Sequence, residues 1–253
     1  ILWQYHFMKF ESLIVIWMFV GFCLYLPGCH LMPEPKPALK APRHNATLTL
    51  DGTTISVYWD DGDTFEFREN GRKTRARLKG FNTLESYGPV HSWGDWTGKE
   101  LYEIAFKATA HAKRQTWECV RTKSGGGYGR ILVDCPKLRT SILSEGLAHV
   151  FWMNEPAPSE IIEPQLQAIQ SKVGMWEKGS PEWILTSVHS AAEDNLPTPY
   201  NRMVSTKTGE ARANNHSKRY QTCQKVCESG SCLVYVPYRI RYGKKRAPCL
   251  IAQ

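Results

Sequence analysis

Two segments of the chain carry oxygen-bearing side chains at spacings that suit metal-assisted chemistry on a phosphodiester. Asp63 lies in the sharp turn of DDGDT, which presents a carboxylate at the start of a predicted strand. Asn82 and Thr83 end the next predicted strand, and antiparallel neighbours would bring the two loops together. Such oxygen ligands suit a hard divalent cation. Glu85, two residues beyond Thr83, is placed to act on a water molecule beside the same ion.

Two arginines could supply fixed positive charge for the same reaction. Arg77 lies on the strand that leads to Asn82, and Arg130 follows Tyr128 and Gly129 at a distant hairpin. Arginine suits this role because it stays charged and donates two hydrogen bonds to one phosphate. Each signal is weak alone, since DGD turns and strand arginines also occur as plain turn and surface residues.

The elements that must position these residues follow from the apolar pattern. Residues 46–59 predict two strands around the hairpin dipeptide Asp51-Gly52, and a β-meander continues to residue 81. Apolar residues at helical spacing predict a helix within 96–117. Two strands around KSGGGY follow, and helices are predicted at 140–151 and 160–176. This order predicts an α+β fold in which a five-stranded barrel carries three helices.

In combination, these motifs resemble the staphylococcal nuclease (thermonuclease) family. The resemblance covers residues 46–180, and the order and spacing of its motifs are more specific than any one of them. It implies an OB-fold barrel with three helices. The matching stretches are DGDTF (61–65), RLKGFNTLE (77–85), YGR (128–130), EGLAHV (145–150) and GMW (174–176).

The resemblance also implies roles for the metal-site residues. Asp63 would be the carboxylate ligand of a single Ca²⁺ ion. Asn82 occupies the second ligand position, and Thr83 would supply its backbone carbonyl. Glu85 would orient or deprotonate the attacking water.

For the substrate, the resemblance implies that Arg77 and Arg130 clamp the scissile phosphate, with Arg130 assisting the leaving 5′ oxygen. Tyr128 would touch a neighbouring phosphate. Trp152 falls where the family places a tyrosine against a base. The implied reaction is hydrolysis of DNA or RNA to products with 3′-phosphate ends.

Two departures from the family pattern affect this expectation. Asn82 stands where the reference enzymes carry aspartate, so the site loses one negative charge and should bind calcium more weakly. Leu84 stands where the family usually has proline, which should loosen the loop between Thr83 and Glu85. If the ion is not held, the alternative is a catalytically weak or inactive OB-fold module that binds nucleic acid.

The N-terminal residues 1–29 read as an export signal. The chain begins without methionine, so Met8 is a plausible start, and an apolar run follows from Ser12 to Leu26. The run ends in LPGC, which resembles a bacterial lipoprotein signal and makes Cys29 the expected lipidation site and membrane anchor. Ordinary signal cleavage or an uncleaved anchor is the alternative. Residues 30–45, rich in proline, predict an extended linker.

The cysteines agree with export into an oxidising compartment. Beyond Cys23 and Cys29 an even number remains, which favours disulfides. Cys119 and Cys135 flank a predicted hairpin and could pair, and the four tail cysteines could form two bridges. A zinc site that uses the tail cysteines with His216 is the alternative. The disulfide candidates are Cys119, Cys135, Cys223, Cys227, Cys232 and Cys249.

Charge separates the chain into a nearly neutral body and a basic tail. The net charge is +8, and residues 200–253 hold 11 Lys/Arg against 2 Asp/Glu. After the nuclease-like domain at 46–180, residues 181–253 are therefore predicted to form a small basic extension stapled by disulfides. We expect an exported monomer, either an envelope lipoprotein or an extracellular protein, that acts on DNA or RNA. A structural envelope lipoprotein, in which the tail does the work, is the competing class.

Overall fold

The computed structural model describes residues 46–193 and 198–250. The predicted signal segment, its Cys29 lipidation site and the linker 30–45 lie outside the described residues. The described residues form one compact unit. Within the described ranges, no helix combines the length and apolar character needed to cross a membrane.

A closed barrel of six strands forms the centre of this unit. The first four strands are antiparallel neighbours, and the last two close the barrel through parallel pairing of β8 with β4 and of β7 with β1. The barrel strands are β1 (Ala46–Leu50), β2 (Thr53–Trp59), β3 (Thr64–Glu69), β4 (Arg72–Leu78), β7 (Trp117–Gly125) and β8 (Ile131–Asp134).

The predicted α+β class with a closed barrel and three helices is confirmed, but the predicted strand count of five is wrong. Both arms of the first hairpin were predicted as strands, but only five of the predicted strands were assigned to the barrel. β1 pairs with β2 on one side and with β7 on the other, so both arms of the hairpin belong to the barrel wall.

Local sequence explains why the meander turns where it does. Asp51-Gly52 connects β1 to β2 and Asn70-Gly71 connects β3 to β4, each with positive φ at both residues. This conformation matches the twist of a two-residue hairpin and favours Asn, Asp and Gly. Along β3 and β4 alternate residues are buried, so each strand presents one apolar face to the barrel interior.

The three helices cover the barrel core. The first begins with a capping box, in which Thr97 and Glu100 exchange side-chain-to-backbone hydrogen bonds, and buries Leu101, Ile104 and Ala108. The helices are α1 (Gly98–Lys113), α2 (Pro136–Ser144) and α3 (Ser159–Gln170).

The helix predicted over 140–151 is wrong in its second half. Gly146, with φ of 60°, ends α2, and the Leu147 N–H donates to the Ile142 carbonyl at 3.0 Å. This left-handed cap stops a helix. Residues Ala148–Val150 then form the short strand β9. The last helix also ends early, at Gln170, and Gly174–Trp176 form a single 3₁₀ turn.

The part of the chain after residue 181 contains five strands that sequence analysis did not predict. β13 pairs with β10, and β15 pairs with β6, so this extension completes two sheets begun by the preceding residues. The remaining strands are β5 (Phe81–Thr83), β6 (His91–Trp93), β10 (Trp152–Met153), β11 (Trp183–Val188), β12 (Tyr200–Ser205), β13 (Glu210–Asn215), β14 (Lys225–Glu228) and β15 (Ser231–Val234).

Three disulfides cross-link the unit, and they indicate an oxidising environment. Cys119 pairs with Cys135, which joins β7 to the residue that precedes α2. Within the extension, the bridges are Cys223–Cys249 and Cys227–Cys232. All four tail cysteines are therefore disulfide-bonded, so none is available as a thiolate for zinc.

Candidate functional site

The predicted site begins where β3 and β4 lie side by side. Asp63 is the last residue of the DDGD turn, and Thr64, the first residue of β3, pairs with Arg77 on β4. The Leu78 N–H donates to the Asp63 carbonyl at 2.8 Å. This register places the Arg77 side chain beside the Asp63 carboxylate, although 14 positions separate them in sequence.

Asp63 is buried, with 2% of its surface exposed, and both carboxylate oxygens are hydrogen-bonded. Oδ1 accepts from the Thr64 hydroxyl at 2.9 Å and from the Arg77 guanidinium. Oδ2 accepts from the Thr83 backbone N–H at 2.7 Å and from its hydroxyl at 3.1 Å. Burial alone would raise the pKa of Asp63, but Arg77 and the Thr83 N–H outweigh it, so the pKa lies below its ordinary value.

Arg77 also contacts the second predicted ligand position. One guanidinium nitrogen donates to Asp63 and the other donates to the side-chain oxygen of Asn82. Asn82 lies in the middle of β5, opposite His149 on β9. The structure thus brings Asp63, Arg77, Asn82 and Thr83 together from three short segments, which are the DDGD turn, β4 and β5.

A second carboxylate, Asp61, lies beside Asp63 and was not identified from the sequence as a site residue. The Asp63 N–H donates to Asp61 Oδ1 at 3.0 Å. Burial and then the charge of Asp63 hold the pKa of Asp61 well above its usual range. Its position two residues upstream, in the same acidic turn, was the available sequence signal.

Gly62 makes the tight approach of this turn possible. A Cβ atom at Gly62 would lie 2.6 Å from Thr83 Cγ2 and 3.0 Å from the backbone of Ala108 on α1. Any larger residue would push the turn away from α1 and from the Thr83 N–H that binds Asp63. The glycine is therefore required by close packing.

Glu85 lies on the loop after β5 and is partly exposed. Burial raises the pKa of Glu85; among its charged neighbours, Arg241 and Arg77 oppose this shift and Asp63 adds to it. The side chain of the preceding residue, Leu84, is 2% exposed and belongs to the barrel core. Packing of Leu84 therefore anchors the loop at the position where the resemblance expects proline.

Arg130 approaches the site from the loop between β7 and β8. Ile131 pairs with Ala76, the neighbour of Arg77, and a Cβ on Gly126 would lie 3.0 Å from the Arg77 Cβ. Burial and then the charge of Arg77 lower the pKa of Arg130. The two guanidiniums therefore share one side of the barrel.

The two predicted substrate contacts lie on different elements, Tyr128 in the loop between β7 and β8 and Trp152 on β10. Tyr128 is 89% exposed, and the Arg130 guanidinium lies 5.8 Å from its ring centre. The ring of Trp152 lies 5.4 Å from the Lys79 ammonium, and its indole N–H donates to Glu155 at 3.3 Å. Trp152 therefore lies beside Lys79.

The extension adds cations to this region that sequence analysis missed. The charges of Arg241 and Arg202 both act on Glu85. Arg241 lies 4.9 Å from the ring centre of Tyr87, which follows Glu85 by two residues. Only the overall basic charge of the tail hinted at these residues, because Arg202 and Arg241 lie 117 and 156 positions beyond Glu85 in the sequence.

The donor atoms at this site fit a hard cation in chemical type. Within the described ranges, no group of three or more His, Cys, Asp and Glu residues could hold a metal ion. The Asp61 carboxylate lies beside Asp63, the Asp63 carboxylate contacts the Thr83 hydroxyl, and Arg77 links Asp63 to the Asn82 oxygen. The raised pKa of Asp61 reflects repulsion and burial that a bound cation would relieve, and calcium accepts such mixed oxygen ligands.

The arrangement combines three kinds of group on one side of the barrel. These are the Glu85 carboxylate, whose pKa is raised, the arginines Arg77 and Arg130, and the oxygen donors around Asp63. Such groups can accept a proton, bind an anionic phosphate and hold a divalent cation. No protein-family model matches the chain, and no match is found among curated proteins.

Proposed function

We propose that this chain is a calcium-dependent nuclease of the staphylococcal nuclease type, which hydrolyses DNA or RNA to products with 3′-phosphate ends. The observation that carries the proposal is the buried Asp63 carboxylate, which accepts hydrogen bonds from the Arg77 guanidinium and from the Thr83 N–H. Glu85 and Arg130 lie within electrostatic range of the same group. Three parts of the sequence contribute these side chains, at residue 63, residues 77–85 and residue 130, in the combination that phosphodiester hydrolysis needs.

The proposed metal ligands are Asp63, Asn82 and the Thr83 carbonyl, with Asp61 as a further oxygen donor. When bound, a calcium ion would supply positive charge that polarises the phosphate. Asn82 contributes a neutral oxygen in place of a carboxylate, so the proposed site binds calcium weakly.

In the proposed reaction, Glu85 accepts a proton from the water that attacks phosphorus. Burial supports this role because it raises the pKa of Glu85 and makes the carboxylate a better base. Arg77 and Arg130 donate to the phosphate oxygens, where negative charge grows in the transition state. As the bond between phosphorus and the 5′ oxygen breaks, Arg130 stabilises the leaving oxygen, which takes a proton from solvent. Tyr128 and Trp152 contact the flanking nucleotides.

The proposed setting is outside the cytoplasm. Three disulfides support an oxidising compartment. We assign Cys29 as the lipid anchor and residues 30–45 as the tether, which would hold a monomeric enzyme at a membrane surface.

A specific observation favours a second candidate, a nucleic-acid-binding module without activity. The Asn82 oxygen that would serve as a metal ligand accepts a hydrogen bond from Arg77. If this contact persists with calcium present, the barrel binds nucleic acid through its arginines without cleavage.

Digestion of plasmid DNA and of RNA by the full chain distinguishes the two candidates. The nuclease cleaves in calcium, stops in chelator and loses cleavage in Glu85→Gln while retaining a gel shift. The binding module gives a gel shift without cleavage, and the shift is unaffected by Glu85→Gln. Absence of both cleavage and binding would refute both candidates.

A further inference from the structure

The segment Tyr238–Tyr242 of the extension exposes two aromatic rings. Tyr238 is 74% exposed and Tyr242 is 58% exposed. Their ring centres lie 6.3 Å apart in an edge-to-face arrangement. Exposed aromatic side chains that are held in contact form a ready surface for planar ligands.

This aromatic pair lies beside the loop that carries Glu85. Tyr87, two residues after Glu85, packs edge-to-face on Tyr242 at 6.0 Å, and the Arg241 guanidinium lies over the Tyr87 ring. Arg246 donates to the Tyr87 carbonyl. The pKa of Tyr242 is raised to about 12, first by partial burial and then by the charge of Glu85, in agreement with this proximity.

The surrounding structure fixes the segment in place. The Arg241 Nε donates to the Val236 carbonyl at 2.9 Å. The Cys223–Cys249 disulfide encloses the segment, and β15, which precedes it, pairs with β6. A platform that is ordered before binding loses less conformational entropy when a ligand docks.

We propose that Tyr238, Arg241 and Tyr242 form a second nucleic-acid subsite that stacks unpaired bases of single-stranded DNA or RNA next to the scissile phosphate. The inference rests on the proposed function. Base stacking on aromatic rings tolerates any sequence but requires bases that are not paired within a duplex, while a nearby arginine attracts the backbone. The subsite therefore makes the protein prefer single strands.

The test measures binding of a fluorescein-labelled oligothymidylate and of a duplex of equal length to the full chain in chelator, which prevents cleavage. The test variant is Tyr238→Ala/Tyr242→Ala. Tyr238→Phe/Tyr242→Phe keeps both rings and serves as the matched control. Phe106→Ala removes a 52% exposed ring from the face of α1 opposite Ala108, and controls for loss of any surface aromatic.

We expect the double alanine variant to bind the single strand about tenfold or more weakly, given the usual contribution of a stacked base. Paired bases of the duplex do not stack on these rings, so duplex affinity should change by less than about twofold. Both control proteins should bind like the wild type. Unfolding temperatures of all variants establish that the extension remains folded.

Equal single-strand affinity of the wild type and the double alanine variant would overturn the inference. If Glu85→Gln loses calcium-dependent cleavage but the double alanine variant binds and cleaves like the wild type, the proposed function stands and the subsite is wrong. If the wild type neither binds the oligonucleotide nor cleaves it with calcium, both proposals are wrong.

Discussion

At the residue scale, Arg77 serves the fold and the proposed chemistry together. Its partner Asp63 is almost fully buried, and the Arg77 side chain is 19% exposed. Removal of one member of a buried ion pair leaves an uncompensated charge, which typically costs about 3–5 kcal/mol. A loss of activity in an Arg77 variant could therefore come from lost catalysis or from a less stable fold, and activity alone would not separate the two. Glu85, which is partly exposed, gives a cleaner test.

The Asn82→Asp substitution should strengthen calcium binding. A carboxylate at this position restores a negative charge among the proposed ligands, and we expect an affinity gain on the order of tenfold. Calcium titration of cleavage, together with calorimetric titration of the protein alone, measures the change. Asn82→Ala, which removes the oxygen, is the control and should weaken binding. An Asn82→Asp protein with unchanged affinity would exclude residue 82 as a ligand.

The pH dependence of cleavage should depend on Arg241. A proton-accepting Glu85 must be ionised, so its raised pKa sets the acidic limb of the profile of kcat/KM against pH. Arg241→Met removes a positive charge that favours the carboxylate, so the pKa of Glu85 rises and the limb moves to higher pH. The exposed neighbour Arg239 provides the matched control Arg239→Met.

Equal profiles for the Arg241→Met, Arg239→Met and wild-type proteins would contradict this assignment of the acidic limb. Other charges that act on Glu85, namely Asp63, Arg77 and Arg202, are unchanged in both variants. Burial lowers the pKa of His149, which lies opposite Asn82, to about 4. This imidazole is therefore neutral above that pH and does not account for an acidic limb at higher pH.

At the element scale, the site depends on short turns that hold strands in register. The DDGD turn packs on α1 through Gly62, and the start of β3 then aligns Thr64 with Arg77. Because such contacts are tight, substitutions in the turn should affect both stability and the site.

The Gly62→Ala substitution should destabilise the protein by about 1–3 kcal/mol, since its Cβ overlaps Thr83 and the α1 backbone. Denaturant unfolding measures the loss, and calcium titration should show weaker binding because Thr83 shifts. Gly125→Ala is the control, as the nearest atom to its Cβ would be 4.0 Å away. Equal unfolding free energies for the two variants would contradict the packing account.

The sequence predicted those elements that local signals determine. The Asp51-Gly52 and Asn70-Gly71 dipeptides located two hairpins, and helical spacing located α1. The helix prediction over 140–151 failed because one glycine cap outweighed the apolar pattern around it. The barrel was anticipated, but its six-strand closure depends on pairing between β1 and β7, which no local signal reveals.

At the scale of the whole molecule, the extension contributes to the same region as the barrel. Asp63 and Arg77 could be associated from sequence because their strands pair in a predicted meander, and Asn82 and Thr83 because they follow Arg77 closely in the chain. Arg241 and Tyr242 could not, since only the folded chain brings them to the loop of Glu85. Long-range contacts of this kind depend on the complete fold and leave no periodic signal.

The Cys119–Cys135 disulfide should contribute to the stability of the whole unit. It joins residues 16 positions apart, and a loop of this size corresponds to about 3 kcal/mol. Replacement of both cysteines by alanine should lower the free energy of unfolding by that order, as measured by denaturant titration. The Cys227–Cys232 bridge, with a separation of 5, should contribute less. A larger loss from the shorter bridge would contradict this ranking.

Cleavage of an end-labelled oligonucleotide with calcium tests the central claim most directly, with rates and product ends determined for the wild type and Glu85→Gln. We expect products that end in a 3′-phosphate and a rate loss of about 10² to 10⁴-fold in the variant. Thermal unfolding should be nearly the same for both proteins. Equal rates for the two, or products that end in a 3′-hydroxyl, would contradict the proposed role of this site.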